Sequence, residues 1–116
     1  MALFALVFTF FSTAVSAQTK AQLTAKISTP TVQCELCKKR IEEVLKRYDG
    51  VLTVNVNYRK KETTVKYLTD RTNEEIIKTA IANAGYDANE IAATKEAYDL
   101  LPKCCKKPAD GGGKKQ

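Results

Sequence analysis

The apolar positions of this 116-residue chain change their spacing in a fixed order between Leu23 and Gly85, and that order constrains the fold more than any other feature. Leu23-Thr24-Ala25-Lys26-Ile27 alternates apolar and polar, the pattern of a half-buried strand. Ser28 to Gln33, with Pro30, reads as a loop. Cys37, Ile41, Val44, Leu45 and Tyr48 then recur at helical spacing, and Asp49-Gly50 ends that helix with a residue able to take positive φ. Val51 to Tyr58 is rich in β-branched residues, with Leu52, Val54, Val56 and Tyr58 expected on one face. Arg59-Lys60-Lys61-Glu62 forms a charged turn into a returning strand, Thr63 to Leu68. Thr72 or Asn73 is the expected cap of a second helix, whose stripe is Ile76, Ile77, Ala80, Ile81 and Ala84 and whose stop is Gly85.

The order β-α-β-β-α gives the first five elements of an α+β, ferredoxin-like βαββαβ sandwich with an antiparallel sheet. The fourth strand is weak or replaced by a C-terminal helix. Ala88 to Leu101 carries alanines, Glu and Lys in place of alternating β-branched residues, and Asp87 with Glu90 resembles a capping box. We expect this stretch to be mostly helical, stopped by Pro102, with at most a very short strand near Glu90 to Ala92.

Ala2 to Val15 is uncharged and apolar and ends in Val15-Ser16-Ala17, which reads as a signal-peptide core with a cleavage site between Ala17 and Gln18. It is shorter than the roughly 20 residues of a spanning helix, although an uncleaved anchor is the competing reading. The expected organisation is therefore a signal peptide at 1–17, one domain at 18–92, a helical extension with a cysteine pair at 93–105, and a disordered tail at 106–116. A periplasmic or secreted location follows, with no stable membrane association after cleavage. The net charge of +6 lies outside the leader, but the lysines between Lys38 and Arg47 alternate with acids as on a solvated helix face. No nucleic-acid partner is expected.

Cys34-Glu35-Leu36-Cys37 stands at the junction of loop and helix. A helix start exposes unpaired N–H groups and partial positive charge, which favour thiolate over thiol. Thiolates are soft ligands suited to Cu(I) and Zn(II). There is no histidine, so a hydrolase built on a nucleophile and a histidine base is excluded.

The residues Thr31 to Cys37, then Ile41, Val44, Leu45, Gly50-Val51, Val54-Asn55-Val56 and Tyr58, resemble the heavy-metal-associated domain. So do Val65-Lys66-Tyr67, the Ile76 to Ile81 helix and Ala84-Gly85-Tyr86. The similarity covers about Gln22 to Asp87. The family includes copper chaperones, the N-terminal modules of metal-pumping ATPases and a periplasmic mercury-binding protein. The resemblance implies that Cys34 and Cys37 are metal ligands, that the protein is not an enzyme, and that a metal-transporting ATPase or another metal-binding protein is the partner. It also places the loop after the second helix beside the metal loop. Tyr86 is thus a candidate to shield the thiolates or donate a hydrogen bond to them, or else an aromatic filling the core edge. Lys38 could offset dithiolate charge, against the alternative of a solvated helix face. The family methionine position holds Val32, an apolar plug of different shape.

Two thiolates suit a low-coordinate ion, Cu(I) first, with Hg(II) or Zn(II) as alternatives. Zn(II) prefers four ligands, which would require Cys104 and Cys105 or a carboxylate. That adjacent pair has three possible uses: completing a four-sulfur site, forming disulfides with Cys34 and Cys37, or remaining free for intermolecular contact. The functional reading is an exported soft-metal-binding protein that sequesters or transfers its ion by thiolate exchange. The rivals are a thiol–disulfide oxidoreductase, disfavoured by Glu35 between the cysteines, and a structural domain stapled by disulfides.

Overall fold

The computed structural model describes residues 21–110; the leader with its cleavage site and the last six residues lie outside the described residues. Three strands, β1 (Gln22–Ser28), β2 (Val51–Asn57) and β3 (Glu62–Leu68), form an antiparallel sheet in the order β1-β3-β2. Helices α1 (Glu35–Lys46) and α2 (Glu74–Asn83) supply the remaining apolar faces. Ala25 and Ile27 of β1 stand opposite Val65 and Thr63 of β3, and Val54 and Val56 of β2 stand opposite the same two residues. One central strand therefore aligns the inward faces of both neighbours. Against them lie Ile41 and Leu45 of α1 and Ile77 and Ile81 of α2, all fully buried. Each such side chain contributes about 1.5–3 kcal/mol of transfer free energy.

The helix ends follow local chemistry. The Asn73 side-chain oxygen accepts from Ile76 N–H at 2.9 Å and caps α2. Gly50 and Gly85 take φ of +91° and +104°, the positive-φ turns that end the two helices. Several apolar positions depart from expectation, Leu23 and Tyr48 among them, both exposed. Leu52 is exposed because the β2–β3 register shifts between Val51 and Thr53, which turns it off the inward face. Ile76 is also exposed, and Val44 is only half-buried, because each lies at the margin of its helical stripe.

The larger correction lies after Gly85. The helix there, α3, is only Lys95–Asp99, with Thr94 in the cap position. The capping box of Asp87 and Glu90 does not form. The Asp87 carboxylate accepts from Ala93 N–H at 2.9 Å, and Glu90 pairs with Lys78 of α2. Among the described residues the sheet has no fourth strand. In its place Asn89, at φ +51°, donates its N–H to the Ser28 carbonyl and accepts the Ser28 N–H on its side chain, while Ala88 and Ile91 make an isolated bridge. A left-handed residue at the point of pairing ends strand propagation. The chain continues through two short 3-10 turns, Lys103–Cys105 and Pro108–Asp110. Lys107 N–H donates to Tyr98 Oη at 2.8 Å, and Tyr98 Oη also bonds Asp110.

Candidate metal centre

The Thr29–Cys34 loop is fixed from several sides. Thr29 N–H donates to the Lys61 carbonyl at 2.9 Å, and Lys61 Nζ donates back to the Val32 carbonyl at 2.5 Å. Lys61 reaches that position from a left-handed hairpin residue, φ +58°. Thr31 Oγ1 accepts from Asp87 N–H at 3.2 Å, and Val32 is wholly buried beneath the loop. Lys61 had no signal as a loop anchor in the sequence, because its contact partner is a backbone carbonyl 29 residues away.

Cys34 occupies the N-cap of α1 with extended backbone, and Cys37 lies in the first turn. These are the two positions that a capping box would give to Ser or Thr and Glu. The first intrahelical bond from this end is Lys38 N–H to the Cys34 carbonyl, so the preceding amides have no helical partner. The Cys34 and Cys37 sulfurs are 3.2 Å apart. Cys37 is fully buried, whereas Cys34 is half-exposed.

The tail brings the other two cysteines to the same point. Cys34 Sγ is 3.4 Å from Cys104 Sγ and 3.8 Å from Cys105 Sγ, and the tail sulfurs are 3.9 Å from each other. Cys37 and Cys105 are paired as a disulfide, with Cα atoms 5.9 Å apart. The three uses of the tail pair foreseen from sequence are thereby narrowed: it is docked, with one member bonded to Cys37 and the other beside Cys34. Burial and the neighbouring Cys34 push the Cys104 thiol above its ordinary pKa.

Tyr86 is fully buried, and its hydroxyl has no hydrogen-bond partner among the described residues. Burial pushes the phenol up to about 12; Cys34 and Cys104 add to that shift, and the Arg40 guanidinium opposes it. Both thiols thus lie within electrostatic reach of the ring. Arg40 belongs to this neighbourhood too, with a buried Nε that has no partner among the described residues. Its place in the basic run Lys38-Lys39-Arg40 disguised it as a surface charge. Lys38 instead faces Glu42, 4.0 Å away along the helix, the arrangement of a solvated face.

The sulfurs of Cys34, Cys104 and Cys105 lie within 4.8 Å of one another, and with no histidine in the chain they form a group that could hold a soft metal ion. A family model for the heavy-metal-associated domain matches residues 26–87. A copper-exporting P-type ATPase of Staphylococcus epidermidis is 37% identical over 62 residues, which are 53% of this chain and 8% of the ATPase. A Staphylococcus aureus counterpart is 33% identical over 66 residues, again 8% of its length. The chain therefore spans under a tenth of these relatives. Among solved structures, the CopZ metallochaperone superposes with a TM-score of 0.56 at 27% identity, covering 57% of this chain and 98% of CopZ. Oxidised MerP from Ralstonia metallidurans CH34 gives 0.57 at 25%, covering 60% and 96%. The matched region ends before the tail, so Cys104 and Cys105 lie outside it.

Proposed function

The chain belongs to the heavy-metal-associated domain family, and from that membership we propose that it is an exported carrier of a soft metal ion, Cu(I) foremost, held by Cys34 and Cys37. The observation that carries this reading is the placing of two sulfurs 3.2 Å apart at the cap and first turn of α1. Unpaired amides there offset the charge of two thiolates. Burial sets the order of exchange. Within this pair, half-exposed Cys34 is displaced from the ion before buried Cys37. The ion passes without change of oxidation state, and no side chain is assigned a catalytic role. The kinship with copper-exporting ATPases supports such a pump, or another metal-binding protein, as partner. Hg(II) and Zn(II) are the alternative ions. The uncharged run Ala2 to Val15 supports export, with maturation before Gln18.

The test is Cu(I) competition against a chromophoric chelator, using anaerobically reduced residues 18–116. One Cu(I) per chain is expected in the parent and in Cys104→Ser/Cys105→Ser, with binding abolished when Cys34→Ser/Cys37→Ser is added to the latter. Retention of Cu(I) by that variant would refute the assignment. N-terminal sequencing of the protein recovered from its producing cell should begin at Gln18, and an intact leader would refute export by cleavage.

A further inference from the structure

Beyond the two-cysteine site, and resting on the reading that Cys34 and Cys37 bind metal, the tail has the geometry of a second pair of ligands. It is held in place by contacts independent of its sulfurs. Gln33 Nε2, in the metal loop itself, donates to the Lys106 carbonyl at 2.7 Å. Leu101 is 5% exposed against the core. Cys105 N–H donates to the Pro102 carbonyl at 2.8 Å, closing the tight turn that aims two adjacent side chains at one point. A tetrahedral ion with sulfur ligands at about 2.3 Å spaces those sulfurs by about 3.8 Å. The three distances among Cys34, Cys104 and Cys105 are 3.4, 3.8 and 3.9 Å. The fourth corner is Cys37, 3.2 Å from Cys34. Tyr86 is fully buried within electrostatic reach of the Cys34 and Cys104 thiols, with the Arg40 guanidinium as its charged neighbour.

We propose that Cys104 and Cys105 are metal ligands, and that the docked tail converts an open two-thiolate site into a closed four-sulfur site for a four-coordinate thiophilic cation such as Zn(II). From the state seen here, loading begins with reduction. An external dithiol gives two electrons and two protons to the Cys37–Cys105 bond and departs as a disulfide. The four thiols then release their protons as the cation binds. A closed site retains its ion; undocking of the tail returns the site to the form from which thiolate exchange proceeds.

The experiment loads the reduced full chain with Zn(II) and counts sulfurs by X-ray absorption. It then compares Zn(II) and Cu(I) affinities of the parent and Cys104→Ser/Cys105→Ser by chelator competition. Four sulfurs at about 2.3 Å are expected in the parent. Loss of an outer partner already costs roughly 10–100-fold in metal affinity, so loss of two direct ligands should weaken Zn(II) by more than about 100-fold. Cu(I) should remain bound one to one in the variant. Two sulfurs in the parent, or Zn(II) affinity unchanged in the variant, would overturn the tail's role while leaving the Cys34–Cys37 reading intact. Failure of the parent to take either ion would overturn both.

Discussion

Gly85→Ala tests whether the core and the metal-site tail are one packed unit. Gly85 sits at φ +104°, outside the range an alanine adopts without strain, at about 1–3 kcal/mol. A Cβ there would lie 3.0 Å from the Ala97 carbonyl oxygen and 3.0 Å from Leu101 Cγ and Cδ2. The backbone oxygen cannot swing aside, so the contact is relieved only by moving α3 and Leu101 outward. Exposing Leu101 forfeits a further ~1.5–3 kcal/mol. The expected loss is thus about 2.5–6 kcal/mol, a large part of the stability of a small domain. Urea unfolding of the reduced protein measures it, and the alkylation rate of Cys105 reports the tail directly. Cys105 should change from protected to reactive. In a Leu101→Ala background the same substitution should cost at least about 1 kcal/mol less, because residues in contact do not add independently. Gly50→Ala is the control. Its Cβ meets Arg71 Cβ at 2.6 Å, so it should destabilise while leaving Cys105 protected. A Gly85→Ala protein within about 0.5 kcal/mol of the parent, or a Cys105 as slow to react as before, would refute the argument.

Three further outcomes follow from particular contacts. Reduction opens a disulfide spanning 68 residues, for which chain entropy gives about 4 kcal/mol; parallel urea titrations with and without reductant should differ by close to that amount. Thr29 and Thr63 hydroxyls bond at 3.0 Å in a fully buried site. Thr63→Val should cost about 1–3 kcal/mol by stranding Thr29, and Thr29→Val/Thr63→Val should recover most of it; unfolding free energies that simply add would refute the pairing. Tyr86→Phe removes a buried hydroxyl without a hydrogen-bond partner among the described residues and should stabilise the metal-free protein by about 1 kcal/mol. If that hydroxyl bonds a thiolate in the loaded form, the same substitution should weaken metal retention about 10-fold, and a variant unchanged in both respects would refute the role.

The elements up to Gly85 were legible because each carries its own period and its own stop. The Ile41 and Leu45 stripe, the Asn73 cap and the two positive-φ glycines are local features, readable from a few residues at a time. Cys34 and Cys37 were legible for the same reason, being three positions apart on one helix end. What lay beyond reach was set by distant contacts. Residues 88–94 had the composition of a helix, yet Asn89 bonds Ser28, 61 residues away, and Asp87 turns its carboxylate to Ala93. Glu90, assigned to a cap, is drawn to Lys78 across the α2 surface. Arg40 was hidden because a basic run looks solvated whether or not one member turns inward. The sequence offered the meeting of the two cysteine pairs among its alternatives but could not choose it, because the contacts that dock the tail, such as Gln33 to Lys106 across 73 positions, are not local.

The four sulfurs divide by burial, and that division connects the fold to the proposed transfer. Cys37 and Cys105 are wholly buried, one in the first turn of α1 and the other in the tail turn. Cys34 and Cys104 are the half-exposed pair, one from each segment. An incoming thiolate therefore meets one ligand from the helix and one from the tail before it reaches either buried sulfur. Displacing Cys104 loosens the tail, whereas displacing Cys34 leaves it anchored through Cys105 and Leu101. The two routes predict different kinetics. Exchange that begins at the tail should accelerate when Leu101 is truncated; exchange that begins at the helix should not. Measuring transfer from a Leu101→Ala chain to an acceptor dithiol decides between them, and a rate equal to that of the parent would place the first displacement at Cys34.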